Sequence, residues 1–115
     1  MNPKIHLVGK KNVLPQNVIY LKAEANYSEV FFTNGESIII SKTLKQMETR
    51  FSQFAFFRAH KSYLINLSHV KDYKTKCESK IKLSNDVEIE LSRRKRNDFL
   101  SVIKEDKSPK LIKTA

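Results

Sequence analysis

Four side chains with hydrogen-bond donors stand directly before an apolar run in the middle of the sequence. They are Arg58, His60, Lys61 and Ser62, and the run occupies residues 63 to 67. Such donors grip phosphates and base edges in nucleic acids, whereas the run after them suits a buried strand. Two interpretations stay open: a rigid strand that holds a polyanion-reading loop, or an ordinary loop that enters a core strand.

A second cationic cluster follows the apolar residues 87 to 91. It consists of Ser92, Arg93, Arg94, Lys95 and Arg96. Cations at a helix start oppose the helix dipole, at roughly 0.3 to 1 kcal/mol each when exposed, so stability alone does not explain them. A docked anion would reverse that interaction, because free backbone N–H groups and arginines would both face it. The alternative is a solvated run of charge.

The overall charge also indicates a polyanionic partner. The chain has 115 residues, with 22 Lys and Arg against 12 Asp and Glu, and a net charge of +10. Residues 58 to 115 hold 15 of these cations and 8 of the acids. Nucleic acid and an anionic membrane surface are the two candidates, and the second half should supply most of the partner surface.

Cysteine usage and the N-terminus predict a soluble, cytoplasmic protein. The single Cys77 has no cysteine to pair with and no metal-ligand spacing to a histidine. We therefore expect no metal and no cofactor. The N-terminus lacks the apolar core of a signal peptide, and no apolar run approaches the roughly 20 residues of a membrane span.

The pattern of apolar residues predicts a mainly β fold with one or two short helices. Strands are expected at residues 18 to 21, 27 to 33, 37 to 40, 63 to 67, 70 to 73, 80 to 83 and 87 to 91, with a polar loop at 22 to 26 and turns at Asn34-Gly35 and at 84 to 86. Helical spacing predicts one helix after an N-cap at Ser41 and another over residues 93 to 103 after Ser92. Residues 1 to 16 are interpreted as a lead-in with an extra strand, and 105 to 115 as a flexible basic tail.

Several motifs occur in a characteristic order along residues 17 to 104. They are the strand-loop-strand of residues 18 to 28, Gly35, Lys42-Thr43-Leu44, an aromatic-Arg-x-His-Lys-Ser-x-x-x-Asn pattern ending at Asn66, the strand at Val70, and Leu91-Ser92-Arg93-Arg94. This set resembles the LytTR (LytR/AlgR-type) DNA-binding domains of bacterial transcription regulators, in a stand-alone form without a receiver domain. Asn85-Asp86 replaces the family's common turn glycine, and Glu88 and Glu90, expected on the solvent face, precede the basic cluster.

The resemblance implies a domain of short antiparallel sheets that inserts loops into successive major grooves and bends the duplex. It implies base contacts by Ser28, His60, Lys61 and Arg94, and backbone or supporting contacts by Asn26, Tyr27, Arg58, Ser62, Ser92, Arg93, Lys95 and Arg96. The implied partner is double-stranded DNA with repeated half-sites, bound as a homodimer. Arg94 could offer a guanine two parallel hydrogen bonds.

Two residues of the central motif have a structural alternative. Arg58 could pair with an acid such as Glu48 and brace the loop instead of binding DNA. Asn66, inside an apolar strand, should brace neighbouring backbone because a buried amide needs partners.

Three other functions are weighed against duplex-DNA binding. A single-strand or RNA-binding module would expose several aromatics on a sheet, but Phe51, Phe54, Phe56 and Phe57 cluster as core would. A nuclease with His60 as base would need clustered carboxylates. Membrane binding by the lysine-rich tail would need an apolar face beside the charges. We therefore expect no enzymatic activity, no small-molecule substrate and no membrane partner.

Overall fold

A five-stranded antiparallel sheet forms the middle of the fold in the computed structural model, which describes residues 4–8, 11–76 and 78–106. The strands are β1 (Ile5–Val8), β2 (Lys11–Val13), β3 (Val18–Glu24), β4 (Tyr27–Phe32), β5 (Ser37–Ile40), β6 (Phe56–His60), β7 (Tyr63–Asn66), β8 (Val70–Lys74), β9 (Lys80–Leu83) and β10 (Glu88–Glu90). The helices are α1 (Leu44–Arg50) and α2 (Arg96–Asp106), with 3-10 turns at Pro15–Asn17, Leu67–His69 and Arg93–Lys95. The mainly β class predicted from the sequence is confirmed.

The strand order of the large sheet is β5-β4-β3-β7-β6, while β10-β9-β8 form a second sheet and β1-β2 a hairpin. Alternate residues of β3 and β7 face opposite sides because successive strand residues point to opposite faces. Leu21 and Leu64 join a first core with α1 and the β1-β2 hairpin. Tyr20 and Ile65 join a second core with the three-stranded sheet and α2. The strands that carry the basic turns are thus fixed by packing on both faces.

The phenylalanines near the end of α1 are core residues, as their clustering predicted. Phe51 is fully buried, and its ring meets that of Phe56 edge to face at 4.5 Å. Phe54 packs on the first core and Phe57 on the second. These rings therefore do not form an exposed platform for stacking bases.

Two tight turns follow the sequence signals. Gly35 adopts φ 91° in the β4-β5 turn, where its N–H donates to the Phe32 carbonyl, so glycine is the suitable residue there. Asp86 adopts φ 68° in the β9-β10 turn, and its N–H donates to the Leu83 carbonyl. Aspartate tolerates this left-handed conformation better than most residues, which explains how the turn forms without glycine.

Three local expectations differ from the structure. The polar residues 22 to 24 belong to β3 and not to a loop, because the Lys22 backbone pairs with both Glu29 and Tyr63. The N-cap of α1 is Thr43, whose hydroxyl accepts from the Gln46 N–H in a capping box, and not Ser41. The second α-helix begins at Arg96, because residues 93 to 95 first form a 3-10 turn in which the Ser92 hydroxyl makes no capping bond.

Two sequence expectations fall at the edges of the described residues. The β1-β2 hairpin lies within the predicted lead-in and buries Ile5, Leu7 and Val13, while the boundary at residue 17 stays a prediction. Of the predicted tail, only residues 105 and 106 are among the described residues. Cys77 also lies outside them. No helix in the described part of the chain is long and apolar enough to cross a membrane.

Candidate nucleic-acid interface

Two turns lie side by side at one end of the five-stranded sheet. Ala25 and Asn26 join β3 to β4, and Lys61 and Ser62 join β6 to β7. Because β3 and β7 are antiparallel neighbours, the end of one meets the start of the other. The Ala23 N–H donates to the Ser62 carbonyl at 2.9 Å, which fixes the two turns against each other.

A backbone hydrogen bond joins the second cationic cluster to the same end of the sheet. The Ser92 N–H donates to the carbonyl of Ala59 on β6 at 2.9 Å. Ala59 is fully buried, so this bond is shielded from water. The structure therefore brings together the three segments that the resemblance assigned to DNA reading. We call this surface the basic end and define it as residues 25 to 28, 60 to 62 and 92 to 96.

The first segment of the basic end exposes two of its three predicted contact residues. Asn26 lies exposed in the turn and the Tyr27 side chain is 49% exposed at the start of β4. Ala25, beside them, has φ 53°, a conformation that tightens the turn to two residues. Both side chains are therefore accessible to a ligand.

Ser28, predicted as a base contact, is fully buried. Its hydroxyl donates to the Lys42 carbonyl at 2.8 Å, and this bond ties the start of β4 to the segment before α1. A direct contact with DNA is inconsistent with this burial. The physical reason is a tertiary contact: the Lys42 carbonyl lies after the end of β5, and the Ser28 hydroxyl supplies its hydrogen-bond donor.

Arg58 stabilises the second segment through hydrogen bonds to its backbone. Its Nη1 donates to Glu48 Oε1 at 2.8 Å, its Nη2 to the Lys61 carbonyl at 2.7 Å and its Nε to the His60 carbonyl at 3.2 Å. The Arg58 side chain is only 20% exposed. The pairing with Glu48 proposed from the sequence is thus present, and all three contacts fix the turn that presents His60 and Lys61.

The tip of the second segment presents Lys61 and the edge of His60. Lys61 is exposed, and no side-chain partner for it exists among the described residues. The Ser62 N–H donates to His60 Nδ1 at 3.1 Å, and His60 Nε2 points toward Glu90 Oε1, 3.7 Å away. Ser62 itself is half-buried; its backbone N–H donates to His60, and its carbonyl accepts from the Ala23 N–H.

The four cations of the third segment have different surroundings. Arg93 and Arg94 are exposed, with no side-chain partner among the described residues. Lys95 places its ammonium 5.6 Å from the centre of the Phe57 ring, and Arg96 Nε donates to the Ser79 hydroxyl at 2.9 Å. Arg93 and Arg94 are therefore free to bind a ligand, whereas Lys95 and Arg96 also hold the segment on the second core.

A polar cleft of about 370 Å³ separates the second and third segments. Its walls include His60, Ser79, Glu90, Ser92, Arg93 and Arg96. The sequence reasoning missed Ser79, whose hydroxyl is the partner of Arg96, because no local pattern connects positions 17 residues apart. It placed Glu90 on the solvent face before the basic cluster and did not connect it with His60.

Two groups outside the basic end have shifted pKa values. Burial raises the pKa of the Tyr20 hydroxyl, and the nearby Tyr63 and Glu29 raise it further. The hydrogen bond and charge of Lys71 lower the pKa of the exposed Asp86 carboxyl in the β9-β10 turn. Tyr20 stacks on Phe31 at 4.4 Å and lies at the centre of the sheet that supports the basic end.

Comparison with known proteins gives a consistent result. Residues 9–104 match the LytTr DNA-binding domain family. The chain is 33% identical over 69 residues to the sensory transduction protein LytT of Oceanobacillus iheyensis, covering 59% of this chain and 28% of that protein. It is 37% identical over 57 residues to the CO-responsive transcriptional regulator RcoM of Rhodospirillum rubrum, covering 50% and 24%. The chain thus spans about a quarter of the length of these relatives.

A solved structure shares the fold. A LytTr DNA-binding domain from Bacillus cereus superposes with a TM-score of 0.72 over 88% of this chain and 94% of that chain, at 17% sequence identity.

Proposed function

This chain belongs to the LytTR DNA-binding domain family, and we propose that it acts as a sequence-specific duplex-DNA-binding regulator of transcription. One observation supports the assignment of DNA binding to particular residues. Three exposed segments with unpaired donors meet at one end of a rigid sheet, joined by the Ala23–Ser62 and Ser92–Ala59 backbone bonds. Binding to DNA through these segments needs no rearrangement of the core.

The spacing of the segments suits the major groove. Adjacent strands lie about 4.8 Å apart, so the β3-β4 and β6-β7 turns stand roughly 10 Å from each other. The groove is about 12 Å wide, which admits a two-residue turn with its side chains. These two turns are close enough to share one groove, and we propose that the domain also reaches the next major groove, about 34 Å along the duplex, and bends the duplex between the two grooves.

The contact roles follow from exposure and donor chemistry. Arg94 binds guanine with two parallel hydrogen bonds, and Lys61 donates to a guanine or a phosphate. Arg93, Asn26 and Tyr27 contact the sugar-phosphate backbone of the DNA next to these sites. Ser62 and Ser92 offer hydroxyls to phosphate or water. Arg58 and Ser28 support the segments, and Lys95 and Arg96 combine support with attraction for phosphate.

Several wider properties belong to the same proposal. The function is binding and not catalysis, and it needs no cofactor, small-molecule substrate or membrane. The protein acts in the cytoplasm and binds repeated half-sites as a pair of copies, one copy per half-site. The names of the relatives, a sensory transduction protein and a transcriptional regulator, support a regulatory role.

The proposal is tested by selection from a pool of random duplexes, followed by titration of the selected duplex, its single strands and the matching RNA at one salt concentration. We expect a defined sequence to emerge and the duplex to bind most tightly. Donor–acceptor dyes on the two duplex ends should approach each other on binding. Preference for RNA, or equal affinity for every duplex, would overturn the proposal, and unchanged dye distance would overturn the bending.

A further inference from the structure

Glu90 is an acid placed within a basic surface, where repulsion of phosphates would be expected to weaken binding. It lies on β10 with a side chain that is 70% exposed, and its Oε1 is 3.7 Å from His60 Nε2. Arg93 and Arg96 line the same cleft. An exposed carboxylate at this place adds nothing to the core, but it is available to a ligand that enters the cleft.

The hydrogen bonds of His60 fix which ring nitrogen carries a proton. The Ser62 backbone N–H can only donate, and it points at His60 Nδ1 at 3.1 Å. Nδ1 must therefore accept, and in the neutral ring the hydrogen is on Nε2. His60 thus directs a donor toward the same space into which Glu90 directs an acceptor.

His60 Nε2 and Glu90 Oε1 are too far apart to form a hydrogen bond with each other, so each can form one with a ligand. A hydrogen bond of this type has an N–O distance of about 2.7 to 3.2 Å, and 3.7 Å exceeds it. Glu90 also has no other ion pair or side-chain hydrogen bond in the described part of the chain. The pair is therefore a donor and an acceptor 3.7 Å apart, and both residues line a cleft open to solvent.

Resting on the proposed DNA binding, we propose that His60 and Glu90 together read the orientation of one base pair in the major groove. Every base pair shows there one carbonyl oxygen and one amino group, about 3 Å apart: O6 of guanine beside N4 of cytosine, or O4 of thymine beside N6 of adenine. His60 Nε2–H donates to the carbonyl oxygen, and Glu90 accepts from the amino group. His60 and Glu90 therefore accept a base pair that places guanine or thymine next to His60, and they reject the inverted base pair.

Rejection arises from two mismatches at once. In an inverted pair, the Glu90 carboxylate would face a carbonyl oxygen, and the His60 N–H would face an amino group. Lys61 and Arg94 carry only donors, so neither side chain can accept a hydrogen bond from an amino group. The Glu90 carboxylate thus gives the cleft an acceptor that can bind the amino group of cytosine or adenine at this position.

The experiment compares the wild-type chain with Glu90→Gln in selection from the random pool, and then in titrations against four duplexes that differ only at the position where the two selections diverge. For the wild type we expect guanine and thymine on one strand to bind about tenfold more tightly than adenine and cytosine. For Glu90→Gln we expect this ratio to fall well below the wild-type value but to stay above one, since an amide can turn to offer either a donor or an acceptor while the His60 N–H still opposes an amino group.

Glu88→Gln is the matched control, because it removes the same charge from the same strand and lies opposite Lys82, away from His60. It should raise the affinity for all four duplexes by the same factor. If Glu90→Gln behaves in the same way and keeps the wild-type ratio, Glu90 only repels phosphate and the inference is overturned. If the wild type selects no duplex at all, the proposed DNA binding itself has failed.

Discussion

Arg58 on β6 and Glu48 on α1 form an ion pair in which Nη1 lies 2.8 Å from Oε1. The same guanidinium donates to the carbonyls of His60 and Lys61, so one side chain connects the helix to the turn. Hydrogen bonds from a charged donor contribute about 1.5 to 3 kcal/mol each in favourable cases. The turn that presents Lys61 is therefore fixed from within the protein before any DNA arrives.

We expect Arg58→Ala to lower the free energy of unfolding by about 2 kcal/mol, because two turn carbonyls lose their charged donor. Urea denaturation measures this. The matched variant Glu48→Gln should cost less than about 1 kcal/mol, since Glu48 is 46% exposed and the other Arg58 contacts remain. Equal costs for the two variants would show that the carbonyl contacts contribute nothing.

Ser28→Ala should destabilise the fold without changing sequence preference. The substitution removes the part-buried hydrogen bond to the Lys42 carbonyl, at a cost of about 1 kcal/mol. Ser37→Ala is the control, because that hydroxyl donates to Glu29 at an exposed site and its loss should cost less than about 0.5 kcal/mol. Unchanged stability together with relaxed preference at one base pair would restore Ser28 as a direct contact.

The sequence identified correctly those features whose cause is local. Gly35 marks a turn because it alone tolerates φ 91° without strain, and the three consecutive isoleucines of β5 have little place outside a sheet. Asn66 was expected to brace backbone because a polar group in an apolar strand needs partners. Its amide does donate to the carbonyls of Pro15 and Val18.

The features that the sequence did not reveal depend on tertiary partners. Ser28 looks like any polar residue next to a turn, and only the position of the Lys42 carbonyl, 14 residues away, makes it a buried brace. The 3-10 turn before α2 is closed by the Lys95 N–H, which donates to the Ser92 carbonyl, and Ser92 is itself attached to β6 through the Ala59 carbonyl. No periodicity in one chain encodes such contacts.

Asn66→Ala should lower the free energy of unfolding by about 3 kcal/mol. The variant removes the two buried hydrogen bonds to the carbonyls of Pro15 and Val18 and the part-buried hydrogen bond from the Ser68 N–H, at about 1 kcal/mol for each bond. Asn97→Ala, at an exposed site on α2, should change stability by less than about 0.5 kcal/mol. A similarly small loss for Asn66→Ala would contradict the bracing role.

Arg94→Ala should relax sequence preference at one position and cost about 1 to 3 kcal/mol of binding free energy, because it removes two parallel hydrogen bonds to a guanine. Lys95→Ala should weaken binding to all sequences alike and reduce the salt dependence by about one phosphate contact. Titrations of both variants against the selected and a scrambled duplex, at several salt concentrations, test the two roles. Exchange of the two patterns between the variants would refute the assignment.

Stability at alkaline pH should depend on Tyr20. Burial raises the pKa of its hydroxyl above the ordinary value near 10, so the unfolded chain ionises first as the pH rises. The stability that the neutral Tyr20 hydroxyl contributes to the fold is complete below about pH 10 and is lost as the pH rises through the folded-state pKa. Urea denaturation between pH 9 and 11 should show a steeper loss for the wild type than for Tyr20→Phe, whose ring still stacks on Phe31. Identical slopes for the two proteins would mean that the hydroxyl does not drive the alkaline loss, and would leave ionisation of other groups as its cause.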